Sequence, residues 1–275
     1  MVIFESMIQG QVKYGKFSIH YSRWGNGDNV VLAIPGFGEG SESFSCIGRL
    51  MAQDQTLLAV DLPLHGFTDW KVRDAIEPSA LLVAIQELLF ECGFINSKFS
   101  LVGFSMGARI ALSIYEEAPE RIKELVLLAP DGLNMHFIYW LSTQTYLGSS
   151  LFRWAMQHPE SFLKTANFAR RAGFLGERQL RFAKLYLQQE ASRKRLYEIW
   201  TAFRKFKSRR RRISELMREH QTQLTLVFGK QDPVIQASLG EAFRRQVNGN
   251  IKIEILDCGH QLLNEKQAPQ ICALI

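Results

Sequence analysis

The run Phe99-Ser100-Leu101-Val102-Gly103-Phe104-Ser105-Met106-Gly107-Ala108-Arg109 constrains the fold more than any other part of the chain. An apolar strand enters Gly-x-Ser-x-Gly and passes without a spacer into a helical pattern. So abrupt a reversal forces the central residue into strained backbone, and glycines two positions to either side leave room for strand and helix to approach. Ser105 is then expected at a helix N-terminus, where N–H groups and the helix dipole favour developing negative charge. The pentad alone is a weak signal. Its strand-turn-helix context carries it, against the plainer reading of a serine-capped glycine turn.

The same grammar extends through the first half of the chain. Asn29 to Ile34, Thr56 to Val60, Phe99 to Phe104 and Glu124 to Leu128 are short runs rich in Val, Ile and Leu that read as buried parallel strands, and Phe17 to Tyr21 alternates like an antiparallel edge strand. Ser79 to Cys92 and Met106 to Glu117 carry apolar residues at helical spacing. From Gly132 to His220 no strand-like run occurs, aromatics are frequent and nearly everything fits amphipathic helix. Strands then return at Leu224 to Phe228 and Ile251 to Leu256, with a helix over Ala237 to Gln246 between them. The expected architecture is an α/β protein, a mostly parallel doubly wound sheet with an inserted helical region: core 1–131, insertion 132–220, core 221–275. At 275 residues, 47% hydrophobic and 22% charged, the chain can bury such a core and is unlike a disordered or fibrous one. No internal repeat or low-complexity linker interrupts it.

With the serine turn placed between strand and helix, the chain resembles the α/β-hydrolase family. The resemblance covers about residues 10 to 130 and 221 to 265. It implies a serine nucleophile, Ser105, followed in chain order by an acid and a histidine after later strands. Phe228-Gly229-Lys230-Gln231-Asp232-Pro233 and Leu256-Asp257-Cys258-Gly259-His260 supply them. His260 is the expected base, because imidazole can accept and return a proton near neutral pH, and Asp232 the acid that orients it. Asp131, just after the Leu125 to Ala129 strand, is the alternative acid, while Asp257 reads as a turn residue. Ile34-Pro35-Gly36-Phe37-Gly38 stands where the family places its donor loop, which implies the backbone N–H groups of Phe37 and Met106 as the oxyanion hole; a plain tight connection is the other reading. Arg109, four residues after the serine, and Phe104 are candidate substrate contacts, Arg109 alternatively pairing with a nearby acid.

The resemblance further implies that the insertion is a lid supplying the substrate pocket. Phe137, Tyr139, Trp140, Tyr146, Phe152 and Trp154 would form an apolar pocket wall or the lid's own core. Asp61-Leu62-Pro63-Leu64-His65-Gly66 matches a loop usually written Asp-x-Pro-Gly-His-Gly, with Leu64 in place of glycine expected to stiffen it and His65 expected to be structural. His20, His136, His158 and His220 read as surface or packing residues. No pair of them has metal-ligand spacing, so neither metal nor cofactor is expected. The terminal segment Ile271 to Ile275 is shorter than the family's usual last helix, which puts the completeness of that end in question.

The net charge is +6, and much of the excess lies between Arg193 and Arg212. With Leu196, Ile199, Trp200, Phe203 and Phe206 interleaved, this stretch reads as a basic amphipathic helix. It is either a solvated lid face or a contact for an anionic membrane or ligand. No nucleic-acid module accompanies the charge, so the expected partner is a small-molecule substrate. Cys46, Cys92, Cys258 and Cys272 are too widely spaced for a metal clip or disulfide framework and are expected to be reduced, Cys258 being notable for its closeness to His260. The N-terminus carries no secretory pattern and no apolar run reaches about 18 residues, so a cytoplasmic protein is expected. The expected activity is hydrolysis of a carboxylic ester or thioester of a small, largely apolar acyl group. Alternatives are carbon–carbon bond hydrolysis, a lyase reaction or acyl transfer with the same residues, or a binding module on the same scaffold.

Overall fold

The computed structural model describes residues 7–71, 74–95, 98–135, 137–171, 180, 186–187, 189–247 and 249–275. His136 lies outside them, as does most of 172–188. The chain divides into two units, Met1–Asn134 with Lys205–Ile275, and Met135–Arg204.

The first unit is built on eight strands: β1 (Ile8–Tyr14), β2 (Phe17–Trp24), β3 (Asn29–Ile34), β4 (Gln55–Val60), β5 (Phe99–Phe104), β6 (Ile122–Leu128), β7 (Gln223–Gly229) and β8 (Asn250–Leu256). They form one sheet in the order β1-β2-β4-β3-β5-β6-β7-β8. β2 runs antiparallel to β1 and β4, and every other pairing is parallel. The central strands are buried along most of their length because both sheet faces are covered. Val31, Ala33, Val102, Phe104, Val126 and Leu128 pack on one side with Phe44, Ile47 and Ile271, while their neighbours Leu32, Leu101, Leu125 and Leu127 are equally buried.

From β3 the chain steps to β4 on one side and then to β5 on the other, so the strand order reverses between β3 and β5. Their register pairs Ile34 with Gly103, which sets the end of β3 beside the end of β5. A reversal point at the carboxyl ends of parallel strands opens a crevice, where open α/β sheets take their ligands.

One expectation for the sheet is corrected. The segment from Phe17 is not the edge, since β1 pairs outside it from Ile8↔Arg23 to Tyr14↔Phe17. β1 escaped notice because only Val12 in it is buried; with Gln9, Gln11 and Lys13 on view it has no apolar signature.

Helices α1 (Ser45–Gly48), α2 (Pro78–Glu91) and α3 (Met106–Glu117) belong to this unit. The second unit holds α4 (Phe137–Gln144), α5 (Tyr146–Gln157), α6 (Pro159–Arg171) and α7 (Glu190–Ala202), of which α4, α5 and α7 pack through aromatics. Trp200 meets Tyr139 edge-on at 5.1 Å and Phe152 at 5.5 Å, and Tyr139 Oη donates to the Phe203 carbonyl. Back in the first unit come α8 (Arg210–His220), α9 (Ala237–Gln246) and α10 (Ala268–Cys272). No helix among the described residues is long and apolar enough to cross a membrane.

The basic stretch 193–212 is likewise not one helix. α7 ends at Ala202, Phe203 and Phe206 turn inward with no exposure, and α8 begins at Arg210. α8 is tied to α3 by Glu116, whose buried carboxylate accepts from the Arg209 backbone N–H at 2.7 Å and from Arg209 Nε at 2.6 Å. A carboxylate here caps α8 and meets the positive end of its dipole. Glu116→Ala is expected to lower the unfolding free energy by about 1–2 kcal/mol, as loss of a helix cap does. Arg209→Ala should cost less, because its guanidinium is largely exposed. Urea unfolding of the two variants checks the order.

Candidate active site

The serine turn is held by contacts that tolerate no side chain at its glycines. A Cβ on Gly103 would lie 2.6 Å from the Ala108 Cα, and one on Gly107 would lie 2.1 Å from the Ile34 carbonyl oxygen. With strand and helix this close, Ser105 adopts φ 51° and ψ −114°, a conformation that side chains rarely take. Its N–H donates to the Leu128 carbonyl at 2.8 Å, and its carbonyl accepts from Asp131 N–H at 3.1 Å. The strain is thus balanced by bonds to the end of β6.

Three side chains from three strand ends meet in one hydrogen-bonded line. His260 Nε2 stands 3.1 Å from Ser105 Oγ, and His260 Nδ1 stands 2.7 Å from Asp232 Oδ2. Asp232 Oδ1 already accepts from the Val234 and Ile235 N–H groups at 2.7 and 3.0 Å. A carboxylate only accepts, so Nδ1 donates to it, and Nε2 is left to accept from the serine hydroxyl. Burial alone would raise the Asp232 carboxyl, but the hydrogen bonds from His260, Ile235 and Val234 outweigh it and hold the group below its ordinary value.

The loops bearing Asp232 and His260 are pinned to each other. Lys230 N–H donates to the Leu256 carbonyl and Gln231 N–H to that of Cys258. Gly229 is required between them, since a Cβ there would lie 2.1 Å from the Gly259 carbonyl oxygen. Asp257 is exposed and accepts from Gln231 Nε2. The four cysteines are free thiols. Burial pushes the Cys258 thiol up, as do the nearby charges of Asp232 and Asp257.

Asp131, the rival acid, faces elsewhere: its Oδ2 lies 3.6 Å from Arg109 Nη1. Arg109 is 4% exposed, and this pairing with an acid is the alternative weighed for it from sequence. Phe104 is also buried, with its ring 5.6 Å from the His260 ring, so it backs the imidazole rather than lining open space. Phe37 follows Gly36, whose built Cβ would come within 3.5 Å of Ser105 Cβ, and Met106 is the first residue of α3. Both backbones therefore adjoin the serine.

The chain belongs to the alpha/beta hydrolase family. The family's model matches residues 30–273. The chain is a hydrolase by this membership and by its relatives. It is 26% identical over 282 residues to monoacylglycerol lipase abhd6-B of Xenopus laevis, covering 93% of this chain and 78% of that protein. Over 125 residues it is 31% identical to the 2-hydroxy-6-oxo-6-phenylhexa-2,4-dienoate hydrolase of Comamonas testosteroni, a match spanning 44% of this chain and 43% of that one. The thioesterase domain from the curacin biosynthetic pathway superposes with a TM-score of 0.65 at 19% identity, over 98% of this chain and 99% of that domain, which shows the shared fold.

Two features of this hydrolase went unread in the sequence. His20 is buried, and its Nδ1 lies 2.8 Å from Asp61 Oδ2. Asp61 also accepts from the N–H groups of Ser41 at 2.5 Å and Phe67 at 2.8 Å, tying the loop after β3 to the loop after β4. In the latter loop Leu64 sits at φ 67°, so its side chain adds strain where the family's glycine would have none. His65 is buried against the Pro63 carbonyl, as a structural residue would be.

The second feature is Glu39, two residues after Phe37. Burial pushes its carboxyl above the ordinary value, against the pull of the Gln261 and Ser43 side chains, His260 and the Gly36 backbone. A lone acid inside the glycine-rich donor loop was the available signal. A carboxyl raised on folding ionises at lower pH in the unfolded chain. Its burden on stability is therefore absent below the unfolded value of about 4.3 and grows as pH climbs through the folded one. Unfolding free energies of wild type and Glu39→Gln, compared from about pH 4 to about pH 7, should shift in favour of the variant as pH rises.

Proposed function

We propose that this hydrolase cleaves a carboxylic ester or thioester with a largely apolar acyl group, through an acyl-enzyme on Ser105. The observation that carries the reading is the unbroken line from Asp232 through His260 to Ser105 Oγ. His260 Nε2 takes the hydroxyl proton as Oγ attacks the acyl carbonyl carbon. The oxyanion so formed accepts hydrogen bonds from the Phe37 and Met106 N–H groups at the positive end of α3. His260 then protonates the departing alcohol or thiol, and Asp232 stabilises the imidazolium in both directions. Water, deprotonated by the same imidazole, releases the acid and restores Ser105. The lipase named among the relatives acts on this class of bond.

A second reading keeps the residues and changes the bond to carbon–carbon, with water again as the second reactant. The similarity to a dienoate hydrolase favours it. Short p-nitrophenyl esters separate the two, since rapid turnover with a burst supports the ester reading. Negligible turnover by protein that still labels at Ser105 supports the other.

A fluorophosphonate probe read by intact mass is expected to add one label to the wild type and none to Ser105→Ala. Folded wild type that stays unlabelled would sink both readings. Asp232→Asn should lower kcat by about 10³- to 10⁴-fold through loss of the correct tautomer, with little change in KM. Asp131→Asn keeps the backbone bond to Ser105 and should change kcat less than about tenfold. The reverse order would return the acid's role to Asp131.

A further inference from the structure

The second unit combines charge and exposed apolar surface in a way the proposed reaction does not use. Residues 135–204 contain eleven Lys and Arg against four Glu, a net +7, leaving −1 for the rest of the chain. From Phe137 to Gln157 the only charged residue is Arg153. α5 buries Gly148, Phe152 and Ala155 on one side. On the other it leaves Leu147 80%, Leu151 52% and Trp154 39% exposed, at i, i+4 and i+7, with Tyr146 beside them at 85%. On α4, Phe137 and Trp140 stack on each other and are exposed as well. Water is a poor neighbour for such a stripe, and contiguous apolar surface of this kind marks a binding face.

Tyr146 also lines a cavity of ≈ 290 Å³ contained in this unit. Its walls are Ser142, Thr143, Thr145, Ser149 and Thr201 hydroxyls, Tyr197, and the side chains of Arg153 and Arg204, with no acid among the lining residues. Arg153 Nε donates to Tyr197 Oη at 3.2 Å, and both residues line the cavity. Neither arginine has a carboxylate partner among the described residues. The basic stretch singled out in the sequence is different: Lys194 and Glu198, Lys205 and Glu77, Arg209 and Glu116, and Arg211 and Glu215 are paired. Two guanidinium groups without a carboxylate partner at one acid-free cavity fit a phosphate group.

We propose that the α4–α5 face docks on an anionic phospholipid surface. Leu147, Leu151, Trp154 and Trp140 enter the headgroup–acyl boundary, and the Arg153–Arg204 cavity takes a headgroup phosphate. An acid-free amphipathic pair bearing Trp and Leu on a cationic unit suits such an interface on both counts, apolar burial and attraction to negative lipid. Of the basic residues in the run 193–212 the contact keeps only Arg204, and its apolar part lies on α4 and α5. It is independent of the reaction at Ser105, because it is read without turnover.

The test is co-sedimentation of the full chain with vesicles of phosphatidylcholine alone or mixed with phosphatidylglycerol, folding being checked by circular dichroism. Wild type is expected to pellet with the mixed vesicles, weakly with phosphatidylcholine, and less as salt rises. Arg153→Gln with Arg204→Gln should weaken binding to mixed vesicles roughly 30-fold and leave phosphatidylcholine binding as it was. Leu147→Gln with Leu151→Gln should reduce binding to both. Folded wild type that stays in the supernatant with mixed vesicles at low salt overturns the proposal, as does wild-type pelleting by either variant. A dimer seen by light scattering and abolished by Leu147→Gln with Leu151→Gln would also overturn it, by assigning the face to a second copy of the chain.

Discussion

The backbone of Ser105 is the constraint on which the rest of the site depends. Its positive φ would relax if strand and helix could separate, and they cannot, because Gly107 packs on the Ile34 carbonyl and Gly103 on Ala108. The strained residue is clamped from β6 through Leu128 and Asp131. Those bonds lie on backbone rather than side chains, so the hydroxyl stays committed to the imidazole. Strain of this kind persists only where the surroundings over-determine it, and here three strand ends do so.

The same economy governs the partners. Asp232 and His260 sit on different loops, yet the loops behave as one piece: Gly229 lets them touch, and Lys230 and Gln231 bond across. Val234 and Ile235 fill the second carboxylate oxygen of Asp232, so only Oδ2 remains for the histidine. Phe104 then packs against the imidazole ring, tilted to it. Each group has one geometry available, the condition under which proton transfer needs no reorganisation. Asp61 performs a related task for the loop after β3 by holding Ser41, with His20 as its buried partner.

What was legible in the sequence follows from what each signal reports. Buried central strands announce themselves as continuous apolar runs, and Gly103-x-Ser105-x-Gly107 announces its turn because the glycines answer a local steric demand. Asp232 and His260 are legible through their positions after strands. β1 is silent because hydrogen bonds to β2, not burial, hold it. The basic stretch misled for a complementary reason: Phe203 and Phe206 continue the helical spacing of α7 but turn into the core after its end, and spacing cannot tell a helix from a loop whose aromatics are buried. His20 could not be paired with Asp61 before the fold was known, since 41 residues separate them. Arg109 carried two readings from sequence, and the contact with Asp131 matches the pairing with a nearby acid.

Two carboxyl groups flank His260, and their surroundings drive them apart. Asp232 is given three donors and held down, whereas Glu39 is buried with too little compensation and pushed up. Such a split is how a site sorts groups of one chemical type into different roles. A full negative charge at Glu39 would stand beside the loop whose N–H groups are proposed to receive a developing oxyanion, and would oppose it through a poorly screened interior. Burial, by favouring the neutral form, weakens that opposition. The price of placing an acid in the donor loop is therefore a dependence of the site on pH that a glycine or serine at position 39 would not bring.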